Sequence, residues 1–567
     1  MKEIILSLLV AAAVLAGCSR QQQQQYPNSL LAEVPADTPY LLASGEPMPK
    51  ELTQKFRESI RPVVDDLRAR MDEILNELTQ SNPDAAQQLR ALVDEVMKLA
   101  ASDGFKQIGL TRDDQLVIYG DGLYPVMRLT LTDAKAFRGF IDRLMSKAGI
   151  VISPHSHQGS DYWRVPLGGL VALAGIGGGE FDVALTTPDR ETETLTTLFD
   201  SRKPDQSVAQ AGTVGGLVKQ YGFTDNATGF VDSVRLAELV LGNGSDTPGL
   251  LADLGVAPDE LTPECRAELR GFAGKVPRLV FGYDRLAKDR VGTRGVVEMA
   301  PDLAADLEGW TAPVPGLGAE SDARLTLGFG LDAGKAMATV KGWMNAAAKR
   351  QFACQSLAQV DWAGKAGQVN SAPLFMVGNP KGMVLRLDDV SVDELPEGQA
   401  LSSANVHVKA SVVMLLDNAQ TLPAMAKSFV PQLQSVDIPK DGTPVQLPKE
   451  LLEGIDEPAF AAANDTVLGL SIGDGGEERL KHAMAAKHAG HPPVFHMAFD
   501  AGWFYGQMAK WLPKIAEETS EPDSDTGKEL NQQARMMEVY AKLFDRLDYR
   551  IEFTDRGIEF VQDVTMQ

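Results

Sequence analysis

Two stretches of the sequence, "VMRLTLTDAKAFRGFIDRL" at 126–144 and "SVVMLLDNAQTLPAMAKSF" at 411–429, share one pattern. Each starts as a short apolar strand, passes through an aspartate and continues as an amphipathic helix. Asp133 and Asp417 stand where a helix N-cap is favoured, because a carboxylate there accepts hydrogen bonds from the unpaired N–H groups of the first turn. The same unit recurs around three more aspartates, Asp232, Asp332 and Asp500. The pattern predicts alternating strands and Asp-capped helices.

The order of these units indicates a larger internal duplication. Four pairs of positions occur in the same order in both halves of the chain. These pairs are Asp133 and Asp417, Val183 and Val467, Asp232 and Asp500, and Arg294 and Arg556, with separations of 284, 284, 268 and 262 residues. We therefore predict an α+β fold built from two tandem copies of one domain, each a largely antiparallel or mixed sheet with packed helices.

The predicted domain boundaries follow from this duplication and from composition. The first α+β domain covers 30–304 and the second covers 322–567. One core for the whole chain is not expected, because single domains rarely exceed about 250 to 300 residues. The Pro- and Gly-rich stretch 305–321 predicts a linker, and the Gln-rich stretch 18–29 predicts a flexible tether.

The chain begins "MKEIILSLLVAAAVLAGCSR", with a run of apolar and small residues from Ile4 to Ala16 followed by Gly17 and Cys18. Such a run is too short to span the ~30 Å hydrocarbon core of a bilayer, so it predicts a signal peptide at 1–17. The segment resembles a bacterial lipoprotein signal, in which Leu15 to Cys18 matches the lipobox. The resemblance implies cleavage before Cys18 and acylation of that cysteine.

Two further inferences about location rest on resemblance. With Ser19 after the acylated cysteine, the sorting rule of Gram-negative lipoproteins favours the outer membrane, facing the periplasm, over the inner membrane. With its "PADTPYLLA" start at 35–43 and its tandem α+β halves, the body resembles a broad family of uncharacterised bacterial envelope lipoproteins. That resemblance implies no activity.

The charge of the protein excludes some classes of partner. It has 54 Lys and Arg against 77 Asp and Glu, a net charge of -23. An acidic surface repels phosphate backbones and anionic head groups, so we expect no nucleic-acid partner, and membrane contact through the acyl chains on Cys18 alone.

Beyond Cys18 the chain has two cysteines, Cys265 and Cys354. In an oxidising compartment they could form a disulfide, and the alternative is two buried free thiols. Neither has the spacing of a metal site or of a redox pair, and we expect no metal or other cofactor.

The clearest catalytic candidate is Ser471. Gly469-Leu470-Ser471-Ile472-Gly473 fits the G-x-S-x-G pattern of a serine-hydrolase nucleophile elbow, between a predicted strand and a predicted helix. The corresponding turn of the first half, "ALTTPDR" at 184–190, lacks both glycines but keeps strand, turn and helix. The motif therefore favours a structural turn over a catalytic site.

Histidine is a common metal ligand, and four histidines cluster in the second half, at His482, His488, His491 and His496. The first two point to different sides of a helix, and "GHPP" separates them from His496. We expect a solvated helix end there and not a metal site.

These observations favour a non-enzymatic binding or scaffolding protein, anchored by lipid and facing the periplasm, with another envelope protein as its partner. One alternative is an envelope serine hydrolase that uses Ser471. The other is a carrier that holds a hydrophobic ligand between the two halves.

Overall fold

The computed structural model of the protein describes residues 26–58, 104–147, 154–199, 203–241, 262–369, 377–392, 406–451, 457–519 and 524–567, with single residues and short runs between 61 and 99. The predicted signal peptide and Cys18 lie outside these residues. The chain divides into two compact units, which we call unit 1 (1–258 and 277–294) and unit 2 (259–276 and 295–567).

Unit 1 contains an antiparallel sheet. Its strands are β1 (Tyr40–Ser44), β2 (Leu116–Asp121), β3 (Tyr124–Thr130), β4 (His155–His157), β5 (Ser160–Leu167), β6 (Leu170–Gly177), β7 (Glu180–Thr186), β8 (Ala227–Asp232) and β9 (Arg278–Leu286). They pair in the order β9-β8-β1-β2-β3-β7-β6-β5-β4.

The helices of unit 1 follow its strands. They are α1 (Gly104–Gln107), α2 (Ala134–Lys147), α3 (Glu191–Phe199), α4 (Val208–Ala211), α5 (Thr213–Tyr221) and α6 (Ser233–Leu241). Helix α2 contributes an apolar face to one core cluster, because Phe137, Phe140 and Leu144 recur at helical spacing and pack with Leu129 and Phe181 of the sheet.

Unit 2 is also built on an antiparallel sheet. Helix α7 (Pro263–Ala273) belongs to it, and strand β10 (Arg290–Glu298) contains the boundary between the units. The remaining strands are β11 (Leu325–Gly330), β12 (Pro380–Val392), β13 (Val406–Leu416), β14 (Val445–Gln446), β15 (Ala459–Ala463), β16 (Val467–Ile472), β17 (Phe495–Asp500), β18 (Phe544–Thr554) and β19 (Gly557–Met566). They pair in the order β19-β18-β17-β11-β12-β13-β16-β15-β14.

The other helices of unit 2 occupy the connections between these strands. They are α8 (Pro301–Glu308), α9 (Ala333–Ala348), α10 (Gln355–Ala358), α11 (Trp362–Gln368), α12 (Thr421–Phe429), α13 (Gly476–Ala485), α14 (Ala501–Thr519) and α15 (Asp525–Leu543). The α+β class predicted from the sequence is therefore confirmed, and every sheet pairing given above is antiparallel.

The predicted linker 305–321 does not behave as a linker. It lies within unit 2, where Val314 and Leu317 are fully buried and pack against Val384 of β12. Its glycines explain how: Gly316 and Gly318 have φ of 76° and 71°, so they allow tight turns that bring both apolar side chains onto the sheet. The Pro- and Gly-rich composition that predicted a linker belongs to turns within unit 2.

The folded part of unit 1 includes residues before the predicted boundary at 30. Tyr26 is buried and its hydroxyl donates to the Ala43 carbonyl at 2.9 Å. The amide of Asn28 donates to the carbonyls of Ser44 and Leu116, at 2.7 and 2.9 Å. The last four residues of the predicted tether are thus part of the folded unit.

No helix within the described ranges has the length and apolar character that crossing a bilayer would require.

Candidate functional site

Ser471 lies in β16 and not in a turn. It pairs with Ser411 of β13 on one side and with Phe460 of β15 on the other. The chain turns only after the strand, at Gly473 and Gly475, whose φ values are 93° and 72°. A nucleophile elbow places its serine at the sharp turn itself, with an exposed hydroxyl. Ser471 therefore lacks the exposed position at a sharp turn that a nucleophile elbow requires.

The hydroxyl of Ser471 is buried and has two partners. It donates to the Ala410 carbonyl at 3.1 Å and accepts from Nη1 of Arg479 at 3.1 Å. Arg479 also donates to the carbonyls of Ile472 and Asp474 and pairs with Asp388. These contacts hold the connection between β16 and α13, and neither partner of the hydroxyl is a general base.

The four histidines do not come together as ligands. His496 lies in β17, is buried, and its Nε2 is 3.2 Å from Oδ2 of Asp548. It therefore belongs to the sheet, in the strand that the Asp500 unit predicts. His491 is exposed and contacts the Phe553 carbonyl. Among the described residues, no group of three His, Cys, Asp or Glu side chains could hold a metal ion.

The pKa of Asp548 shows how the contact between His496 and Asp548 is stabilised. Burial opposes ionisation of its carboxyl, but the hydrogen bond and charge of His496, together with Arg550, lower its pKa overall. The pair is a structural contact between β17 and β18.

Cys265 and Cys354 form a disulfide, with 4.5 Å between their Cα atoms. Both cysteines are buried. The disulfide joins α7 to the turn before α10 inside unit 2. Of the two alternatives left open by the sequence, the structure selects the disulfide.

Unit 1 contains a buried ionic cluster around Arg128 of β3. Its Nη1 lies 2.9 Å from Glu33, 3.4 Å from Asp182 and 3.7 Å from Glu180. Burial would lower the pKa of Arg128, but the attraction of Asp182, Tyr119 and Glu33 raises it overall. Burial also raises the pKa of Asp182 to about 7. Glu180 and Glu33 add to this increase, because one guanidinium is shared by three carboxylates and the two glutamates oppose further negative charge.

An apolar surface covers one face of the sheet in unit 2. Two rows of directly paired residues cross seven strands from β16 to β19, and we call these fourteen residues the apolar strip. The first row is Leu470, Val412, Leu385, Leu327, Met497, Tyr549 and Gln562, and the second is Leu468, Met414, Met383, Phe329, Phe495, Ile551 and Phe560.

The apolar strip is accessible to solvent. Four of its residues are exposed, Leu327 at 37%, Leu470 at 40%, Phe560 at 45% and Phe329 at 46%. Nine others are half-buried, and only Leu468 is buried. None of the fourteen is charged, and the polar groups of Tyr549 and Gln562 contact each other at 3.4 Å.

The opposite face of the same strands is buried, which inverts the usual arrangement. In β11, Thr326, Gly328 and Gly330 face the interior, while Leu327 and Phe329 face solvent. The glycines are needed because a Cβ on Gly328 or Gly330 would lie 2.8 or 2.6 Å from the side chain of Leu317. An antiparallel sheet with one solvated face normally places its polar residues there.

Aromatic side chains flank the strip along the strand direction. On one side Phe504 of α14 packs on Phe499, the next residue of β17 on the same face after Met497, with 5.2 Å between ring centroids. On the other side Trp310 contacts Phe553, the next residue of β18 on that face after Ile551. Trp310 in turn contacts Trp343 of α9. Helices therefore border the strip at both ends of its strands.

Sequence reasoning placed Leu327 and Phe329 in a strand but did not recognise them as a candidate site. The signal was present in "LTLGFG" at 325–330, where large apolar residues alternate with Thr and Gly. Alternation shows that two faces differ, but it does not tell which face is covered.

The sequence matches no protein-family model, and neither a curated protein sequence nor a solved structure shows significant similarity to the chain.

Proposed function

We propose that this protein is a non-enzymatic binding protein of the bacterial envelope, and that it binds an apolar partner through the apolar strip of unit 2. The observation that carries the proposal is the exposure of Leu327, Phe329, Leu470 and Phe560 on an uncharged sheet face. Contiguous apolar patches of this kind mark interaction sites in soluble proteins, whereas scattered apolar residues do not.

Simple energetics favour covering this surface. Full burial of a Leu or Phe side chain contributes about 1.5 to 3 kcal/mol, so covering the exposed part of each of these four contributes roughly 1 kcal/mol. A partner that covers all four would thus gain about 4 kcal/mol before the costs of association. The partner must be apolar, because the strip has no charged group to orient a polar one.

The hydrolase alternative has weaker support. Ser471 is buried in a strand, and its hydroxyl is bonded to a carbonyl and to a guanidinium. Exposing it to a substrate would require α13 and β16 to separate, with loss of the contacts of Arg479.

We further propose that the two units are copies of one domain. The support is topological: in each unit the first strand pairs with the second and with the strand that precedes the closing hairpin. Three of the four matched pairs, including Val183 in β7 and Val467 in β16, lie at equivalent places in this order. Arg294 and Arg556 do not, since one lies in β10 and the other in the turn before β19.

The proposed location is the outer membrane, facing the periplasm, with acyl chains on Cys18 as the anchor. The support is the lipobox at Leu15 to Cys18 and Ser19 after it. A protein of net charge -23 would contact the membrane through that lipid, because its surface is repelled by anionic head groups.

The binding surface can be tested with an uncharged, environment-sensitive dye such as Nile red. The full chain should enhance dye fluorescence, and Phe329→Asp should remove most of that enhancement. Phe56→Asp is the matched control, because Phe56 is 44% exposed but lies in unit 1. Equal dye binding by the two variants would refute the strip as the binding surface.

A further inference from the structure

We infer that the apolar strip binds the acyl chains of one zwitterionic phospholipid. This inference rests on the proposed function and names the partner of the same surface. Three independent properties of the strip select this partner over a protein: its dimensions, its chemistry and the charge of the molecule around it.

The dimensions of the strip fit acyl chains. Seven strands at about 4.8 Å spacing give a length of ~29 Å, and the two rows are about 7 Å apart along the strands. One acyl chain spans about half of the ~30 Å hydrocarbon core of a bilayer, or ~15 Å. The strip is therefore long enough to hold an extended chain across its strands.

The same dimensions are too small for a stable protein interface. A strip of ~29 Å by ~10 Å offers roughly 300 Å², since a pair of rows with their side chains is about 10 Å wide. A standard protein–protein interface buries about 800 Å² on each partner. A second copy of this chain or another folded protein would need much more surface than the strip supplies.

The chemistry of the strip also suits hydrocarbon better than a peptide. Its residues lie on strands that are paired on both sides, so their backbone groups are used within the sheet. A bound peptide would need backbone hydrogen bonds of its own, as in strand addition at a sheet edge. An acyl chain needs none, and the flexible thioethers of Met383, Met414 and Met497 can adapt to its shape.

Charge selects the class of head group. The fourteen residues include no Lys or Arg, so the strip has no cation for the carboxylate of a free fatty acid. The net charge of -23 disfavours anionic phospholipids by long-range repulsion. A zwitterionic head group stays in water beside the strip. It needs no cation from the strip and has no net negative charge for the protein to repel.

The inference is tested by transfer of phosphatidylcholine with a pyrene-labelled acyl chain from phosphatidylcholine vesicles. The full chain is used in a Cys18→Ser background, so that no acyl anchor contributes to the signal. We expect uptake of about one labelled lipid per chain, with the strip as one site. Phe329→Asp should weaken uptake about tenfold or more, because it places a carboxylate against hydrocarbon. Phe56→Asp should stay within about twofold of the parent chain.

Folding controls keep the test decisive. Phe329→Asp must retain the circular dichroism and unfolding midpoint of the parent chain. If it does not, Phe560→Gln, at one end of the strip, replaces it with the same expectation. Uptake that is absent in the parent chain, or equal in the strip and control variants, would overturn the inference.

A cross-linking experiment separates failure of this inference from failure of the proposed function. A photoreactive benzoylphenylalanine at position 329, activated in intact cells, should give an adduct with the mass of a phospholipid. A polypeptide adduct would overturn the lipid inference while leaving the strip as a binding surface. Dye binding that does not depend on Phe329 would instead overturn the proposed function itself.

Discussion

At the scale of single residues, polar groups that looked chemically informative in the sequence have structural roles. Ser471 hydrogen-bonds within a buried strand, and His496 joins two strands through Asp548. The most perturbed described carboxyl, Asp182, was not a candidate at all, because its environment is created by burial and by Arg128 and Glu33, which come from other parts of the chain.

Asp182 should make the stability of unit 1 depend on pH. Its folded-state pKa of about 7 is above the ~3.9 of an unfolded aspartate, so between these values the native state holds a proton that the unfolded chain releases. Stability from this group is therefore present at low pH and lost as pH rises through 7. The native state would be destabilised by up to about 4 kcal/mol above that pH.

Urea unfolding at constant ionic strength, from about pH 5 to about pH 8, measures this effect. Asp182→Asn should flatten the decline, because an amide does not ionise. Asp161→Asn, at an exposed position in β5, should keep the profile of the parent protein. If Asp182→Asn declines as steeply as the parent, the assignment is wrong.

Ser471→Ala should leave the protein folded and destabilise it by about 1 to 2 kcal/mol, because both hydrogen bonds of the buried hydroxyl are lost while Arg479 keeps its other partners. A fluorophosphonate probe should label neither the parent protein nor the variant. Labelling of the parent that disappears in Ser471→Ala would establish the hydrolase alternative.

At the scale of elements, the Asp-capped unit predicted from the sequence is confirmed at four of its five positions. Asp133, Asp232, Asp332 and Asp500 each accept a hydrogen bond from the backbone N–H three residues ahead, at 2.8 to 3.0 Å. Asp417 is the exception, since α12 begins at Thr421 and Asp417 pairs with Lys381 instead. That pairing, with a hydrogen bond from Asn379, lowers the pKa of Asp417.

The disulfide is the covalent link between elements of unit 2, and its removal should destabilise that unit. It closes a loop with a sequence separation of 89 residues, for which the chain-entropy model gives roughly 4 to 5 kcal/mol. The double variant Cys265→Ser, Cys354→Ser should unfold at lower urea, and dithiothreitol should bring the parent protein to the same midpoint. Cys18→Ser alone provides the control, and an unchanged midpoint after reduction would contradict the expectation.

At the scale of the whole molecule, each unit has an antiparallel sheet whose helices lie in the connections between strands. In unit 2 the sheet leaves an apolar face accessible.

The anchor leads to a simple prediction for the whole molecule. The parent protein should incorporate labelled fatty acid and sediment with membranes, because acylation of Cys18 would anchor it to the bilayer. Cys18→Ser should incorporate none. Labelling that persists in Cys18→Ser would show that the lipobox assignment is wrong.

The sequence by itself determined the α+β class, the alternation of strands and helices, and most of the helix caps. These depend on side-chain periodicity and on contacts within a few residues, which are local properties. Only the tertiary structure decided that Cys265 meets Cys354, that 305–321 packs in unit 2, and that Leu327 and Phe329 face solvent. These outcomes depend on contacts between residues far apart in the chain, such as Leu317 against Val384, and local pattern does not specify them.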